Sequence, residues 1–253
     1  MDSDFDPKIL MKVKNLSKNY GGLKAVNDVS MDVYAGEILA LVGDNGAGKS
    51  TLIKSLAGAI KPDNGEIDFN GKTIELLNPR DADNVGIGCL HQGLGLVDSL
   101  NVPENVFLGR EIQKRFLGII PQLDNEKMRE KTINLLHQFG VSLPKLNDAV
   151  INLSGGQRQT IAISRLLLQN IKLVILDEPM AALGVEEGGH VLNLIKKMRS
   201  ENISILLISH NLEHVFQLAN RIAVMKNGKM IKIIKTSSTT KEEVVKLITF
   251  GKD

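Results

Sequence analysis

The sequence has little capacity for sulfur chemistry and few aromatic residues: one cysteine, no tryptophan and 4% Phe, Trp and Tyr among 253 residues. A single cysteine cannot form a disulfide within the chain, and this usage is typical of a reducing compartment. Cys89 lies in the apolar stretch VGIGCL. Because unpaired cysteines are usually buried, we expect a buried strand residue there rather than a reactive thiol.

Long apolar runs and an excess of one charge are absent as well. No apolar run reaches the roughly 18 residues of a membrane-spanning helix, and the start MDSDFDPK lacks the pattern of a signal peptide. We therefore expect a cytoplasmic protein. A net charge of +2 gives no electrostatic footprint for nucleic acid. With 43% hydrophobic and 24% charged residues, the composition is that of a folded soluble protein.

The first part of the sequence has the pattern of an antiparallel sheet. Apolar residues alternate in Ile9–Leu16 and in Ala25–Val33, and Ile67–Ile74 contains an Asn70-Gly71 turn between two short strands. A second Asn-Gly hairpin is predicted in RIAVMKNGKMIKII, before the amphipathic helix KEEVVKLITF.

Apolar runs followed by helical segments indicate a parallel sheet flanked by helices. These runs are EILALVG, LVIL and SILLIS. The stretch from Ser99 to Leu168 has no strong strand pattern and is predicted to be a helical subdomain, with Gly140 ending one helix. We predict one domain over 1–253, with a core at about 8–98 and 169–253 and a helical subdomain at about 99–168.

The pattern of a phosphate-binding loop follows the apolar run that begins at Glu37. GDNGAGKST matches G-x-x-x-x-G-K-[ST] between a predicted strand and the helical LIKSLAGA. Glycines let successive N–H groups face phosphate oxygens, Lys49 adds a charge and Ser50 an oxygen for magnesium. We therefore expect ATP and Mg²⁺ as cofactors, and the predicted fold class is α/β with a P-loop NTPase core, an antiparallel β subdomain and a helical subdomain. The candidate nucleotide-binding residues of the loop are Gly43, Asn45, Gly46, Ala47, Gly48, Lys49, Ser50 and Thr51.

Two adjacent carboxylates end the apolar strand LVIL. At the C-terminal end of a strand of an α/β sheet, Asp177 is placed to hold magnesium and Glu178 to accept a proton from the attacking water. Alone, Asp-Glu-Pro is also compatible with a turn that carries a solvated acidic pair.

A third motif, LSGGQ, opens the helix RQTIAISRLLL. Ser154 is suited to cap this helix, and the glycines leave backbone N–H groups open, which predicts a second anion site. A plain N-cap would explain Ser154 and one glycine, but not both glycines followed by Gln157. Together the three motifs resemble the ATP-binding cassette (ABC) family. In that family LSGGQ is the signature that completes the nucleotide site of the opposing subunit, which assigns Ser154, Gly155, Gly156 and Gln157 to this contact.

The resemblance implies roles for three further residues. Tyr20 matches the aromatic residue that stacks on adenine, Gln92 the glutamine that senses magnesium and γ-phosphate, and His210 the switch histidine. The predicted catalytic residues are thus Glu178, His210 and Gln92, and the predicted metal ligands are Ser50, Gln92 and Asp177. Taken singly, Tyr20 is also compatible with core packing, Gln92 with a solvated loop and His210 with an ordinary loop histidine.

Two positions depart from the usual family pattern, in which Thr stands at Met180 and Asp at Gly184. In the family that Asp normally links the two nucleotide sites, so the departure at Gly184 bears on communication between them. A glycine at position 184 resembles the pattern of monosaccharide importers of the ribose, xylose and fructose type. The stretches LNPRDADNVGIGCLHQ and NVPENVFLGRE resemble the same importers.

The resemblance implies the ATPase of a monosaccharide importer at the cytoplasmic face of the membrane. Its partners would be a permease, a second cassette subunit and, indirectly, a sugar-binding protein, without nucleic acid. The second cassette subunit would be another copy in an ATP-dependent homodimer, or a different cassette. An importer for amino acids or another small solute, and a soluble non-transport ATPase, are the alternatives. The family groove for a permease helix falls on the stretch from Gln92 to Arg110, with four apolar candidates to line it. They are Leu94, Leu96, Val97 and Leu100.

Overall fold

A computed structural model describes residues 8–91, 93–116, 119–142, 145–168 and 170–251. The strands are β1 (Ile9–Tyr20), β2 (Leu23–Tyr34), β3 (Ile38–Val42), β4 (Asn64–Phe69), β5 (Lys72–Ile74), β6 (Ile87–Leu90), β7 (Gln113–Phe116), β8 (Ile120–Leu123), β9 (Leu173–Asp177), β10 (Ser204–Ile208), β11 (Arg221–Lys226) and β12 (Lys229–Lys235). The helices are α1 (Lys49–Leu56), α2 (Pro79–Val85), α3 (Val102–Val106), α4 (Asn125–Gln138), α5 (Gly155–Leu166), α6 (Val185–Ser200), α7 (Leu212–Leu218) and α8 (Lys241–Phe250).

Contacts within the chain define two compact units. The first comprises residues up to Cys89, Ile171–Glu178 and residues from Met198 onward; the second comprises Leu90–Asn170 and Pro179–Lys197. The second unit thus includes Pro179–Lys197, which the sequence analysis assigned to the core. The organisation as one domain over 1–253 stays a prediction.

The first unit contains two sheets. Antiparallel strands β2-β1-β4-β5 form one, as the alternating pattern predicts, and β4 turns into β5 at Asn70-Gly71, where both residues have positive φ. The other has the order β12-β11-β3-β10-β9-β6. Its central strands β11, β3, β10 and β9 are parallel, and β12 returns antiparallel to β11 through Asn227-Gly228. The predicted α/β fold with a parallel sheet and an antiparallel β part is confirmed.

The core of the first unit explains the apolar runs. All five residues in each of β3, β9 and β10 are buried, as expected for parallel strands covered on both faces. Side chains of the antiparallel sheet, of α1 and of the parallel sheet join one buried cluster. This packing fixes the ends of β3 and β9, where the predicted site residues lie.

The second unit is mainly helical. Its core cluster joins α3, α4 and α5 through buried residues such as Val106, Met128 and Ile161. The predicted helix ending near Gly140 is α4, whose last turn precedes Gly140 at φ +68°. None of the helices in the described parts of the chain has the length and hydrophobicity needed to cross a lipid bilayer.

One element of this unit contradicts the expectation that it lacks strands. The antiparallel pair β7 and β8 forms a hairpin between α3 and α4, with Gln113 opposite Leu123. All four residues of β8 are exposed, so no buried face imposes the alternation by which strands are recognised in a sequence.

Candidate nucleotide site

The predicted phosphate loop connects β3 to α1, as the motif requires. Lys49 is the first residue of α1 and Gly48 its N-cap, with φ +99°. Within the described residues no side chain caps this helix, and its first turn contains no acidic residue. The backbone N–H groups of the first turn therefore lack a side-chain acceptor, and the positive end of the helix dipole suits an anion. Ser50 and Thr51 lie in that turn.

Two loop glycines are required by close backbone approach. A Cβ on Gly43, at φ +154°, would lie 2.2 Å from the Met225 carbonyl oxygen, and one on Gly48 would lie 2.2 Å from that of Ala25. The buried Ala47 also accepts a hydrogen bond at its carbonyl oxygen from the Gly228 N–H, at 3.0 Å. The loop is thus held against β2 and the β11–β12 turn, while its tip at Asn45 and Gly46 is exposed.

Lys49 turns back onto its own loop. Its ammonium donates to the carbonyl oxygens of Gly43 at 2.6 Å and of Asp44 at 2.9 Å. Burial lowers the Lys49 pKa below 10.5, although the charges of Glu178, Asp44 and Asp177 act in the opposite direction. A lysine held at the mouth of the helix N-terminus adds a second source of positive potential for phosphate oxygens.

The carboxylate pair lies at the end of β9, next to β10 in the sheet. Asp177 is buried and pairs in register with Ile208, whose carbonyl oxygen accepts the Glu178 N–H at 3.0 Å. Glu178 has φ +53°, a left-handed conformation that is uncommon for residues other than glycine and clusters at functional sites. This strain does not follow from any residue pattern, so the sequence analysis missed it.

His210 contacts Glu178 directly. Its Nδ1 lies 2.8 Å from Glu178 Oε1, with the histidine side chain 75% exposed and that of the glutamate 13% exposed. Because an ionised carboxylate only accepts, Nδ1–H is the donor. The structure therefore brings together the predicted base and the predicted switch histidine, which are 32 positions apart in the sequence.

The residues that follow β3 and end β9 fit a Mg²⁺ ion that is bound partly by the protein and partly by the phosphates of the nucleotide. Ser50 and Asp177 offer the hard oxygen atoms that Mg²⁺ prefers. In the described chain no group of three or more His, Cys, Asp or Glu side chains is arranged to bind a metal by itself. Such a sparse donor set is typical of magnesium that keeps waters and substrate phosphates as most of its ligands.

Two further residues matched to the family, Tyr20 and Gln92, and the single cysteine remain to be located. Tyr20, at the end of β1, is 47% exposed and carries the Lys18 ammonium 5.9 Å from its ring centre, so it is not a core residue. Gln92 lies outside the described residues. Cys89 is a strand residue of β6, as predicted, but it is half-buried rather than buried. Burial, reinforced by the Asp177 charge, raises its thiol pKa to about 12, which disfavours the reactive thiolate.

The LSGGQ motif begins α5 in the second unit. Ser154 caps the helix and Gln157 completes a capping box: Gln157 Oε1 accepts the Ser154 N–H at 3.1 Å, and Ser154 Oγ accepts the Gln157 N–H at 3.4 Å. Gly156 is also explained locally, since a Cβ there would lie 2.7 Å from Glu187 Cβ. The cap therefore accounts for more of the motif than the sequence analysis allowed.

Glu187 is a residue of this region that the sequence analysis missed. Its carboxylate accepts hydrogen bonds from the Ser154 hydroxyl and from the backbone N–H groups of Gly156 and Gly184, which lower its pKa. No local pattern relates it to LSGGQ, because 30 residues separate it from Gln157. At the two atypical positions, Met180 is buried and Gly184 is exposed.

Comparison with protein-family models decides the family. Residues 26–181, more than half of the chain, match the model described as ABC transporter. The chain belongs to the ABC transporter family. It is accordingly a Mg²⁺-dependent ATPase.

Curated relatives extend this likeness over nearly the whole chain. The xylose/arabinose import ATP-binding protein of Sulfolobus acidocaldarius is 39% identical over 95% of this chain and 94% of its own length. The fructose import ATP-binding protein of Rhizobium meliloti is 41% identical over 96% and 95%. A ribose import ATP-binding protein of Caldanaerobacter subterraneus is 38% identical over 94% of this chain, which spans only 47% of that relative.

Solved structures agree with the fold of this ABC protein. A nucleotide-free ATP-binding cassette from an ABC transporter has a TM-score of 0.79 at 28% identity, covering 95% of this chain and 94% of that one. A dimeric bacterial ABC transporter cassette has a TM-score of 0.75 at 26% identity, covering 90% and 99%.

Proposed function

We propose that this chain is the ATP-hydrolysing subunit of a monosaccharide importer. The observation that carries the proposal is the near end-to-end match, at about 40% identity, to proteins named for import of xylose or arabinose and of fructose. Gly184 supports it, because this residue is typical of the sugar branch. The chain would work at the cytoplasmic face of the membrane, with a permease that receives sugar from a binding protein.

The site residues suggest a division of roles in hydrolysis. The loop from Gly43 to Thr51 binds the phosphates, with Lys49 and the open end of α1 supplying positive potential, and Tyr20 stacks on adenine. Ser50, Asp177 and Gln92 would hold Mg²⁺, which would supply neutralisation of the phosphate charge. Glu178 accepts the proton of the attacking water, and His210 orients the carboxylate through Nδ1–H.

Glu178→Gln tests this assignment. Because the amide keeps the shape but cannot accept the proton, turnover is expected to fall by roughly a hundred- to ten-thousand-fold while ATP stays bound. Steady-state hydrolysis and calorimetric ATP binding measure the two effects. Glu242→Gln, an exposed change on α8, is the matched control, and near-normal turnover by the Glu178 variant would place the base elsewhere.

A nucleotide sandwich of two copies is the proposed working state. The likeness to a cassette crystallised as a dimer supports it, as does the LSGGQ motif in a unit separate from the phosphate loop. Light scattering on the Glu178→Gln protein should show a monomer or weak dimer without nucleotide and a dimer with ATP and Mg²⁺. A molar mass that is the same with and without ATP contradicts the sandwich.

Coupling to the permease is proposed to run through residues 93–110 of the second unit, after Gln92. Two arginines of α5 hold this segment: Arg158 pairs with Asp98 at 2.5 Å, and Arg165 donates to the Gly95 carbonyl oxygen at 2.8 Å. Arg158 directly follows Gln157, so a displacement of the segment acts on the signature helix. One ion pair and one hydrogen bond within the same unit suit transmission between a docked helix and the ATP site.

Buried Asn105 shapes the same segment. Its side chain accepts the Val97 N–H at 2.7 Å and donates to the carbonyl oxygens of Val97, Leu100 and Asn101 at 3.0 to 3.1 Å. Val97 is consequently presented with 39% of its surface exposed, whereas Leu96 packs against the core of the unit. The exposed valine is therefore the better candidate for docking.

Val97→Asp tests the docking surface, with Leu96→Asp as its contrast. A charge at Val97 should weaken assembly with the permease by a few kcal/mol while ATP binding by the isolated subunit survives. At Leu96 it should destabilise the subunit itself. Coupling is measured as uptake of labelled solute in cells with the complete importer. Comparing labelled xylose, ribose and fructose with labelled amino acids identifies the class of solute. Normal uptake with Val97→Asp removes the segment from coupling, and amino-acid uptake alone favours the alternative importer class.

A further inference from the structure

The signature helix α5 already has an anion at its N-terminus. Glu187 lies in the first turn of α6, and its carboxylate accepts from the Ser154 hydroxyl and the Gly156 N–H. The contact is close, since Glu187 Cβ lies 2.7 Å from where a Cβ on Gly156 would stand, and Glu187 Oε2 lies 3.7 Å from the same point on Gly155. Two of the groups that the signature offers to a phosphate are therefore engaged by the chain itself.

The chemistry of this contact matches that of a bound phosphate. A helix N-terminus attracts negative charge through its N–H groups and dipole, and a carboxylate satisfies it as a phosphate oxygen would. The hydrogen bonds hold the Glu187 pKa below its ordinary 4.5, so the side chain is ionised at neutral pH. Its contribution to stability is present above that ordinary value and is lost as the pH falls through the lowered pKa.

The turn that carries Glu187 is rich in glycine, the residue of lowest helix propensity after proline. Gly184 precedes α6, and Gly188 and Gly189 directly follow Glu187 inside the helix. No described atom lies within 4 Å of a Cβ built on any of the three, so packing does not require glycine there. Glycine within a helix costs about 1 kcal/mol relative to alanine, and two in succession favour local unwinding of this turn.

We propose that Glu187 is an internal anion that competes with the partner subunit's ATP for the signature and must move away when the nucleotide sandwich closes. This inference rests on the proposed sandwich. While Glu187 stays on α5, it occupies Ser154 and Gly156 and repels the incoming phosphate. The glycine-weakened turn lets it leave. Glu187 thus raises the threshold for ATP-driven dimerisation without touching the chain's own nucleotide.

Two sets of variants in the Glu178→Gln background test the proposal in opposite directions. Glu187→Gln removes the charge and should tighten the ATP-dependent dimer about tenfold, the equivalent of one charge-assisted hydrogen bond. Gly188→Ala with Gly189→Ala stiffens the turn and should weaken the dimer. Glu186→Gln, an exposed neighbour with the same charge loss, is the matched control and should change neither. Sedimentation velocity over a protein concentration series measures the dissociation constants.

Thermal unfolding without nucleotide separates competition from a structural role. Glu187→Gln should lower the melting temperature because α5 loses its anion, yet tighten the dimer; a residue that only supports the fold would lower both. Glu187→Ala is the second variant, and calorimetric ATP binding by the monomer verifies folding. Unchanged or weaker dimerisation in both Glu187 variants overturns the proposal. Failure of the Glu178→Gln parent to dimerise overturns the sandwich, and the competition with it.

Discussion

The helices α1 and α5 both begin at a glycine-rich turn, yet their first turns are in opposite states. On α1 no described side chain caps the helix, and the nearest cation, Lys49, bonds to its own loop. On α5 the cap is complete and Glu187 adds a carboxylate. A glycine-rich helix start therefore predicts where an anion can bind, but not whether the chain itself already satisfies that position.

The difference suits the two proposed roles. A subunit meets its own ATP whenever nucleotide is present. The uncapped N-terminus of α1 therefore does not have to wait for a partner subunit to receive an anion. In the proposed sandwich the signature would meet ATP only when a second subunit brings it, and a helix end left without acceptors until then would be poorly satisfied. A self-capped α5 would be satisfied in the monomer and would exchange one set of acceptors for another on dimerisation.

Removing the cation from the open helix should have the largest effect. Lys49→Ala deprives the phosphates of a charge-assisted partner and should weaken ATP binding by at least about a hundredfold. Calorimetry on the isolated protein measures it. Lys54→Ala, an exposed lysine of the same helix, is the control, and equal losses in both variants would mean that general charge, rather than position, attracts the nucleotide.

Filling the space between α5 and Glu187 should have the next largest effect. Gly156→Ala places a methyl group 2.7 Å from Glu187 Cβ, so the two helices must separate, at about 1–3 kcal/mol of the free energy of unfolding. Gly155→Ala meets the end of the Leu183 side chain at 3.3 Å and Glu187 Oε2 at 3.7 Å, both flexible side-chain ends, and should cost less. Denaturant unfolding ranks the two, and the reverse order would contradict the described packing.

Removing the cap itself should have the smallest effect on stability. Ser154→Ala loses one capping hydroxyl, about 1 kcal/mol. Thr240→Ala removes the equivalent cap of α8, where Glu243 completes a capping box, and should cost a similar amount. Only the Ser154 variant should also impair ATP-dependent dimerisation in the Glu178→Gln background. If both caps behave alike in dimerisation, Ser154 contributes to the fold alone.

Much of the first unit follows from the sequence, because its signals are local. Buried parallel strands give continuous apolar runs, Asn-Gly pairs mark two of the tight hairpins, and the phosphate loop is one contiguous motif. Each of these depends on neighbours in the chain. The strands β3, β9 and β10 and the turns at Asn70 and Asn227 therefore lie where they were predicted.

What could not be predicted depends on distant partners or on the absence of burial. The contact of Glu187 with Ser154 joins residues of two different helices, and Glu178 adopts a left-handed backbone at the end of β9, where its N–H bonds to the Ile208 carbonyl oxygen of the neighbouring strand. The hairpin of β7 and β8 has no buried face and hence no alternation. These features arise from tertiary structure, which a reading of local pattern does not capture.

The support beneath the phosphate loop has a consequence for synthesis of the protein. Gly43 approaches the Met225 carbonyl oxygen, and the Ala47 carbonyl oxygen accepts a hydrogen bond from the Gly228 N–H in the β11–β12 turn. The loop therefore packs against residues that are translated much later. At roughly 5–20 residues per second, the ribosome supplies this support only many seconds after the loop itself has emerged. A nascent chain that has not yet released β11 should therefore bind ATP poorly, and nucleotide occupancy would report that the C-terminal hairpin has docked.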